Sequence, residues 1–112
     1  MGYNGFPAGV IDDPERYNDR PLKYRLIVHA EVNACLQAGH RAVGGTLYVY
    51  PSFGHPNVCS ECAKVVIQSG IARVVGYKAE ENNPKYASWQ DSLKLSGQMF
   101  DEAGVLWGWI EP

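Results

Sequence analysis

Residues 46–77, with the sequence TLYVYPSFGHPNVCSECAKVVIQSGIARVVGY, decide the fold because they alternate between two local patterns. Residues 46–50 are rich in β-branched and aromatic side chains and stop at Pro51, which predicts a strand. Residues 58–69 predict a helix that ends at Gly70, and residues 71–77 predict a second strand. Because strands joined through a helix usually pair in parallel, this stretch indicates a layered α/β domain.

The same alternation continues on both sides of this stretch. The patterns predict a helix over 28–37, a loop over 80–84, a helix over 85–103 with Trp89 among its core positions, and a last strand over 105–110. Residues 11–23 are polar and contain two prolines, so we expect an exposed connection there.

Length and composition restrict the class of protein. A chain of 112 residues has the size of one domain, spanning residues 1–112. The net charge of −2 argues against a nucleic-acid partner, which normally needs a basic face. No apolar run reaches the ~18 residues of a membrane span, and we expect no membrane partner. The number of cysteines is three, and an odd number argues against a scaffold of disulfide bonds. Because the first residues also lack a secretory signal, we expect the protein in the reducing cytoplasm.

Two short motifs carry the candidate chemistry, and both fall at the start of a predicted helix. They are His29-Ala30-Glu31 and Cys59-Ser60-Glu61-Cys62. One imidazole and two thiolates suit a tetrahedral Zn²⁺ and leave its fourth position open for water. Glu31 is then the candidate catalytic residue, because a carboxylate beside the metal can accept and return protons.

The metal motif has a second interpretation as half of a structural site with four protein ligands. The fourth ligand would come from His55, His40 or Cys35, and His55 is the best placed because it lies four residues before the first cysteine. Glu31 favours catalysis, since a structural site has no use for a carboxylate beside its histidine.

Basic residues concentrate between residues 16 and 25. Arg16, Arg20, Lys23 and Arg25 lie among acidic residues that balance their charge. One interpretation is a solvated loop of mixed charge. The other is that an arginine reaches a substrate phosphate with bidentate geometry.

Residues 2–7, GYNGFP, and residues 29–34, HAEVNA, form a combination more specific than the metal motif alone. Further matching segments cover residues 12–13, 23–24, 46–49, 59–64, 67–71 and 100–105. Through these segments the sequence resembles the deoxycytidylate (dCMP) deaminases of the zinc-dependent cytidine deaminase superfamily, with a viral (phage) source as one interpretation. One difference is that the family usually has proline directly before the first cysteine, whereas here Asn57 and Val58 stand between Pro56 and Cys59.

The resemblance implies a three-layer α/β/α sandwich around a mixed sheet. Family members carry an N-terminal helix and two strands before the turn that matches residues 2–7. The sequence shows no counterpart of these elements, so we expect it to represent the family fold without them.

The resemblance also implies zinc-dependent hydrolysis of dCMP to dUMP and ammonia, which supplies thymidylate synthesis. It assigns zinc binding to His29, Cys59 and Cys62, the proton shuttle to Glu31 and a deoxyribose contact to Asn4. Further candidate substrate contacts are Asn33, Arg20, Arg25 and Tyr86. It implies a homo-oligomer, with a hexamer favoured, and dCTP and dTTP as effectors near Gly2, Asn4, Gly5 and Phe6. A viral protein would act in the host cytoplasm.

Other functions remain as alternatives. The nearest is a deaminase of another cytosine or purine nucleoside or nucleotide. A deaminase acting on nucleic acid would need a charged or aromatic track for the flanking nucleotides. From a different class, a non-catalytic zinc module that senses nucleotides would have four protein ligands on its metal instead of three.

Overall fold

The computed structural model describes residues 1–50, 52–79 and 82–110. The helices are α1 (Pro14–Asn18), α2 (Arg20–Leu26), α3 (Ala30–Ala38), α4 (Ser60–Gln68) and α5 (Pro84–Ala103), with a short 3₁₀ helix over Gly39–Ala42. The strands are β1 (Thr46–Val49), β2 (Arg73–Tyr77) and β3 (Leu106–Ile110). Within the described ranges, no helix has the length and apolar character to span a membrane.

The three strands form one parallel sheet in the order β1-β2-β3. Leu47 pairs with Val74, and Val74 pairs with Trp107, so these three side chains share one face of the sheet. Because the strands are parallel, the connections from β1 to α4 and from β2 to α5 both begin at the same edge of the sheet. Polar and ligand-binding groups on such connections are therefore brought together.

The hydrophobic core lies between this face of the sheet and the longer helices. Cys35 of α3, Val66 of α4 and Phe100 of α5 pack in one buried cluster with Leu47 and Val74. On the opposite face, the side chains of Tyr48 and Leu106 are 72% and 70% exposed, whereas Val75 of the central strand is buried. The core therefore fixes α3, α4 and α5 on one side of the sheet.

The predicted order of helices and strands is confirmed, as is the α/β class. The described residues contain two of the three layers that the resemblance implied, and their sheet is parallel instead of mixed. Among them, the antiparallel pairing outside the sheet is a single bridge between Gly5 and Val28. Pro51 and the first two residues of the predicted 80–84 loop lie outside the described ranges.

Residues 11–23 are mostly exposed, as expected, and they form no long helix, but the connection contains the short helix α1 and the start of α2. The Asp13 carboxylate accepts a hydrogen bond from the Arg16 amide, and the Asp19 carboxylate accepts one from the Leu22 amide. Each aspartate thus caps a helix whose proline lies in its first turn, where a missing N–H has no cost. The two prolines therefore lie at the starts of two short helices.

Candidate metal centre and catalytic site

The two motifs meet because each lies at the N-terminus of a packed helix. His29 and Cys59 are the residues immediately before α3 and α4, and Cys62 is the third residue of α4. α3 and α4 pack through the common core, in which Cys35 and Cys62 are both buried. Residues from distant parts of the sequence therefore share one site.

The three candidate ligands have the geometry that a metal ion requires. The Nδ1 atom of His29 lies 3.2 Å from the Cys62 sulfur and 3.6 Å from the Cys59 sulfur. Within the described part of the chain, one ligand atom from each of these residues lies within 4.8 Å of the others. Zinc–ligand bonds of about 2.0–2.3 Å place the nitrogen and sulfur ligands of a tetrahedral zinc about 3.5–3.8 Å apart. The donor set and its spacing therefore fit Zn²⁺.

The electrostatics of the cluster also favour a cation. The hydrogen bond from the Cys62 thiol, supported by one from His29, lowers the pKa of Cys59 to about 4. The same contact with Cys59 raises the pKa of Cys62, because one thiolate opposes the formation of a second beside it. The pKa of His29 is raised by its hydrogen bond with Cys59. Cys59 thus supplies a thiolate, the form of cysteine that binds metals.

Glu31 lies beside this cluster but outside the metal-binding group. It is the second residue of α3 and is partly buried. Burial raises the pKa of its carboxyl group above the usual range, because desolvation disfavours the charged form. A carboxyl group with a raised pKa takes up a proton more readily than one in water, which suits a group that accepts and returns protons.

A cavity of about 360 Å³ opens onto the site. His29, Glu31 and Cys59 line one part of it. Phe53 and Trp89 supply aromatic walls, and the cations among its described lining residues are Lys23 and Lys85. A second cavity of about 390 Å³ lies between α3 and the outer edge of β1, and Glu31 is the one residue of the site that borders it. The first cavity is therefore the one that brings the chemical groups together.

The other predicted site residues occupy different places. Asn4 lines the cavity, and its carboxamide oxygen accepts a hydrogen bond of 2.6 Å from the Ala30 amide. The described lining residues do not include Asn33, Arg20, Arg25 or Tyr86. Asn33 instead donates a hydrogen bond of 2.7 Å to the Tyr3 carbonyl.

Among the predicted effector residues, Gly2 borders the second cavity, and Gly5 forms the bridge to Val28. The Phe6 ring lies 6.4 Å from the Tyr17 ring, which belongs to α1. The roles proposed for these residues stay predictions.

Sequence reasoning missed much of the cavity wall. Trp89 was expected in the core, but its side chain is 36% exposed and lines the cavity with Lys85. Their separation of four residues is the available signal, since residues at i and i+4 share one face of a helix. Phe53 gave no such signal, because it lies in an irregular loop whose path depends on contacts with α5. One such contact is the hydrogen bond from the Gln90 amide to the Phe53 carbonyl.

The three residues considered as a fourth ligand lie outside the metal-binding group in the described structure. The His55 ring stacks on Trp109 at a centroid distance of 4.1 Å, and its Nε2 atom accepts a hydrogen bond from the Ala79 amide. Cys35 is buried in the hydrophobic core. These contacts favour a site with three protein ligands over a closed structural site.

A comparison with known families agrees with this geometry. The profile of the family described as "Cytidine and deoxycytidylate deaminase zinc-binding region" matches residues 3–78. The chain belongs to this deaminase family. The matched region contains His29, Glu31, Cys59 and Cys62. The predicted zinc cofactor is therefore confirmed at the level of the family, and the donor set of this chain fits it.

Individual relatives of this chain support the same placement. It is 34% identical to an "Uncharacterized deaminase in luxG 3'region" of Aliivibrio fischeri, over 98% of the chain and 69% of that protein. It is 40% identical to the human "Deoxycytidylate deaminase", over 94% of the chain and 56% of the human protein. The enzyme of the same name from Enterobacteria phage T2 is 34% identical over 71% of the chain and 41% of the phage protein. The chain thus spans about half to two thirds of the first two relatives and less of the third.

Proposed function

We propose that this deaminase hydrolyses dCMP to dUMP and ammonia, using a zinc ion held by His29, Cys59 and Cys62. The human and phage T2 relatives are named deoxycytidylate deaminases. The observation that carries the proposal is that one cavity brings Glu31, His29 and Cys59 together with two lysines and four aromatic side chains. Purine and unphosphorylated substrates are the competing choices.

The zinc-binding residues leave room for a catalytic role. His29 would bind through Nδ1, the atom that faces both sulfurs, and Cys59 and Cys62 would bind as thiolates. When bound, zinc supplies a Lewis acid that makes water a stronger acid. Three protein ligands leave a position for the reacting oxygen, whereas a fourth protein ligand would close it.

Glu31 performs the proton transfers in this proposal. Its carboxylate accepts a proton as the oxygen of water adds to C4 of the cytosine ring, and it returns that proton to N3. The amino group at C4 then leaves as ammonia when the C4–N bond breaks, and the second proton of the water accompanies it. The overall change replaces one C–NH₂ bond by one C=O bond with no oxidation or reduction.

The cavity walls suit a nucleotide. Phe53 and Trp89 can pack against a flat base, while Lys23 and Lys85 can neutralise a phosphate. The sequence predicts further substrate contacts by Arg20, Arg25, Asn33 and Tyr86. These residues lie outside the described lining of the cavity, so such contacts would reach the substrate from its surroundings. Because the lysines serve only a charged substrate, they predict a preference for dCMP over deoxycytidine.

The test compares three substrates with the zinc-loaded protein. Purified protein is incubated with dCMP, deoxycytidine or dAMP, and the loss of base absorbance is followed. We expect dCMP to be converted at least about 10-fold more efficiently than deoxycytidine, since a charge-assisted hydrogen bond contributes about 1.5–3 kcal/mol. Equal conversion of dCMP and deoxycytidine would reject the phosphate contacts. No conversion of dCMP by folded protein with one zinc per chain would reject the reaction.

The family resemblance supports three further parts of the proposal. The protein acts in the cytoplasm, where its thiols stay reduced, or in the host cytoplasm if its source is viral. It forms a homo-oligomer with a hexamer favoured, and dCTP and dTTP are its effectors. Light scattering measures the mass, and dCMP turnover with each triphosphate measures regulation. A monomeric mass, or turnover unchanged by either triphosphate, would reject the corresponding part.

A further inference from the structure

The first turn of α3 has no capping group from its own N-cap residue. His29 occupies the N-cap position, and within the described structure its side chain makes no capping hydrogen bond. Its ring instead faces the two cysteine sulfurs. A helix whose first N–H groups lack a partner is less stable, usually by about 0.5–2 kcal/mol. The residue that binds the metal therefore leaves the helix behind it without its usual cap.

Asn4 supplies the missing cap from a distant part of the chain. Its carboxamide oxygen accepts a hydrogen bond of 2.6 Å from the backbone amide of Ala30, 26 residues away in sequence. Because a backbone N–H can only donate, the accepting atom must be the oxygen of the Asn4 carboxamide. The oxygen of Asn4 thus pairs the first backbone N–H of α3, whereas an Asp or Ser at the N-cap position would pair that of the second or third residue.

The loop that carries Asn4 is held on both sides. The Asn33 side chain donates a 2.7 Å hydrogen bond to the carbonyl of Tyr3, the residue before Asn4. Gly5 and Val28 exchange two backbone hydrogen bonds of 3.1 and 2.7 Å. Asn4 therefore lies between two fixed neighbours, and its position is set by contacts with α3 and with Val28.

The loop also lies very close to α3. A Cβ atom at Gly2 would collide with the Ala30 carbonyl oxygen and with the Ala34 amide nitrogen. Glycine is therefore required at residue 2 for the backbone of the loop to approach the helix.

These contacts restrict the segment that carries the chemistry. Val28 is held by Gly5, and Ala30 is held by Asn4, so His29 lies between two anchored residues. Glu31 follows Ala30 directly in the first turn of the same helix. A loss of the Asn4 contact would let both His29 and Glu31 move relative to the cysteines on α4.

We infer that Asn4 and Asn33 are positioning residues, which hold the start of α3 so that the His29 ring is free to bind the metal. The inference rests on the proposed function only for its catalytic consequence. While its oxygen accepts from Ala30, Asn4 keeps an NH₂ group that can donate to a ligand in the cavity. Asn33 acts on the start of α3 through the loop, by the hydrogen bond that it donates to the Tyr3 carbonyl.

The test uses two substitutions at Asn4 that separate its two groups. Asn4→Ala removes the acceptor and the donor, whereas Asn4→Asp keeps an acceptor for Ala30 and removes the donor. In Asn4→Ala we expect the Ala30 amide to exchange with deuterium at least about 10-fold faster and zinc affinity to fall about 10-fold, as for other residues that orient metal ligands. In Asn4→Asp the exchange rate of Ala30 and the zinc affinity should be close to those of wild type. KM for dCMP should be higher than in wild type in both variants, because both lack the NH₂ donor.

Asn33 is tested against a control on the same helix. Asn33→Ala should accelerate exchange at Ala30 and lower zinc affinity in the same direction as Asn4→Ala. Gln37→Ala, an exposed position further along α3, should leave both values unchanged. Wild-type exchange at Ala30 and wild-type zinc affinity in both Asn4→Ala and Asn33→Ala would overturn the inference.

Exchange and zinc affinity are measured without nucleotide, so the two proposals fail separately. If wild-type protein does not deaminate dCMP, but Asn4→Ala accelerates exchange at Ala30 and lowers zinc affinity, the positioning role is supported and the proposed reaction is rejected. If wild-type protein deaminates dCMP, and Asn4→Ala changes neither the exchange rate of Ala30 nor the zinc affinity, the reaction is supported and the positioning role is rejected.

Discussion

The Nδ1 atom of His29 lies 3.2 Å from the sulfur of Cys62, although 33 residues separate them in the sequence. This contact joins the N-terminal ends of α3 and α4, which pack on the same face of the sheet. The site consequently depends on the relative position of two helices and not on a single loop. Loss of either a ligand or the packing between the helices should therefore be measurable as loss of metal.

Substitution of a single candidate ligand is expected to remove the metal. Cys62→Ser replaces a thiolate with a hydroxyl group, which zinc binds poorly, so zinc content should fall from one ion per chain towards zero. Cys35→Ala is the control, because this third thiol is buried in the core outside the cluster. Metal analysis after gel filtration gives the ratio of zinc to protein chains. One retained zinc in Cys62→Ser would contradict the proposed ligand set.

Metal removal should destabilise the fold as well as stop turnover. The paired cysteines and His29 are held together at the ends of two core helices, so free energy of metal binding adds to the free energy of folding. We expect a chelator to lower Tm by several degrees and added zinc to restore both Tm and activity. An identical Tm with and without chelator, while zinc is demonstrably removed, would show that the metal contributes nothing to stability.

Glu31→Gln is expected to keep zinc and lose turnover. The amide preserves the shape of the side chain but cannot accept the proton of water, and general acid–base catalysis contributes about 10²- to 10⁴-fold to rate. Glu61→Gln is the matched control, because Glu61 lies within the cysteine motif but is exposed and paired with Lys64. kcat for dCMP is measured on zinc-loaded samples. Near-normal kcat in Glu31→Gln would remove Glu31 from the mechanism.

Lys85→Gln is expected to affect a phosphorylated substrate only. Lys85 lines the cavity near the Phe53 ring, whereas Lys94 on the same helix is exposed and outside it. The loss of one charge-assisted hydrogen bond should raise KM for dCMP about 10-fold and leave the weak activity on deoxycytidine unchanged. Lys94→Gln should match wild type for both substrates. A parallel loss for dCMP and deoxycytidine in Lys85→Gln would indicate a structural effect instead.

Phe100→Ala should produce the largest loss of stability among the substitutions considered. Its side chain is 0% exposed and packs between α5 and the sheet, and removal of a buried Phe costs about 3–5 kcal/mol. Leu95→Ala, on the exposed side of the same helix, should cost less than about 0.5 kcal/mol. Denaturant unfolding measures both values. A loss below about 1 kcal/mol in Phe100→Ala would contradict the position of the core.

The parts of the structure that sequence predicts well are those in which local pattern and burial agree. The strands β1 and β2 are rich in apolar side chains, in an alternating or a continuous pattern. The His29 and Cys59 motifs have a spacing that metal binding requires. In residues 11–23 the two prolines predict the absence of a long helix, but the two short helices that carry them in their first turns, capped by Asp13 and Asp19, are not visible from composition alone. The role of a proline depends on its position in the helix.

The parts that sequence could not predict depend on contacts between distant residues. The hydrogen bond from Ala30 to Asn4 spans 26 residues and leaves no periodic pattern. Similarly, Lys85 enters the cavity because α5 packs on the core, which places the first turn of α5 beside the site. Such contacts follow from the packing of whole elements, so the motif was visible in the sequence but most of its surroundings were not.

The most direct test of the central claim is the fate of the water oxygen. Zinc-loaded protein is incubated with dCMP in H₂¹⁸O, and the product nucleotide and ammonia are measured by mass spectrometry and enzymatic assay. We expect dUMP that carries one ¹⁸O atom, together with one equivalent of ammonia, and a rate that falls by about 10²-fold or more in Glu31→Gln. Unchanged dCMP, from folded protein that binds one zinc per chain, would contradict it.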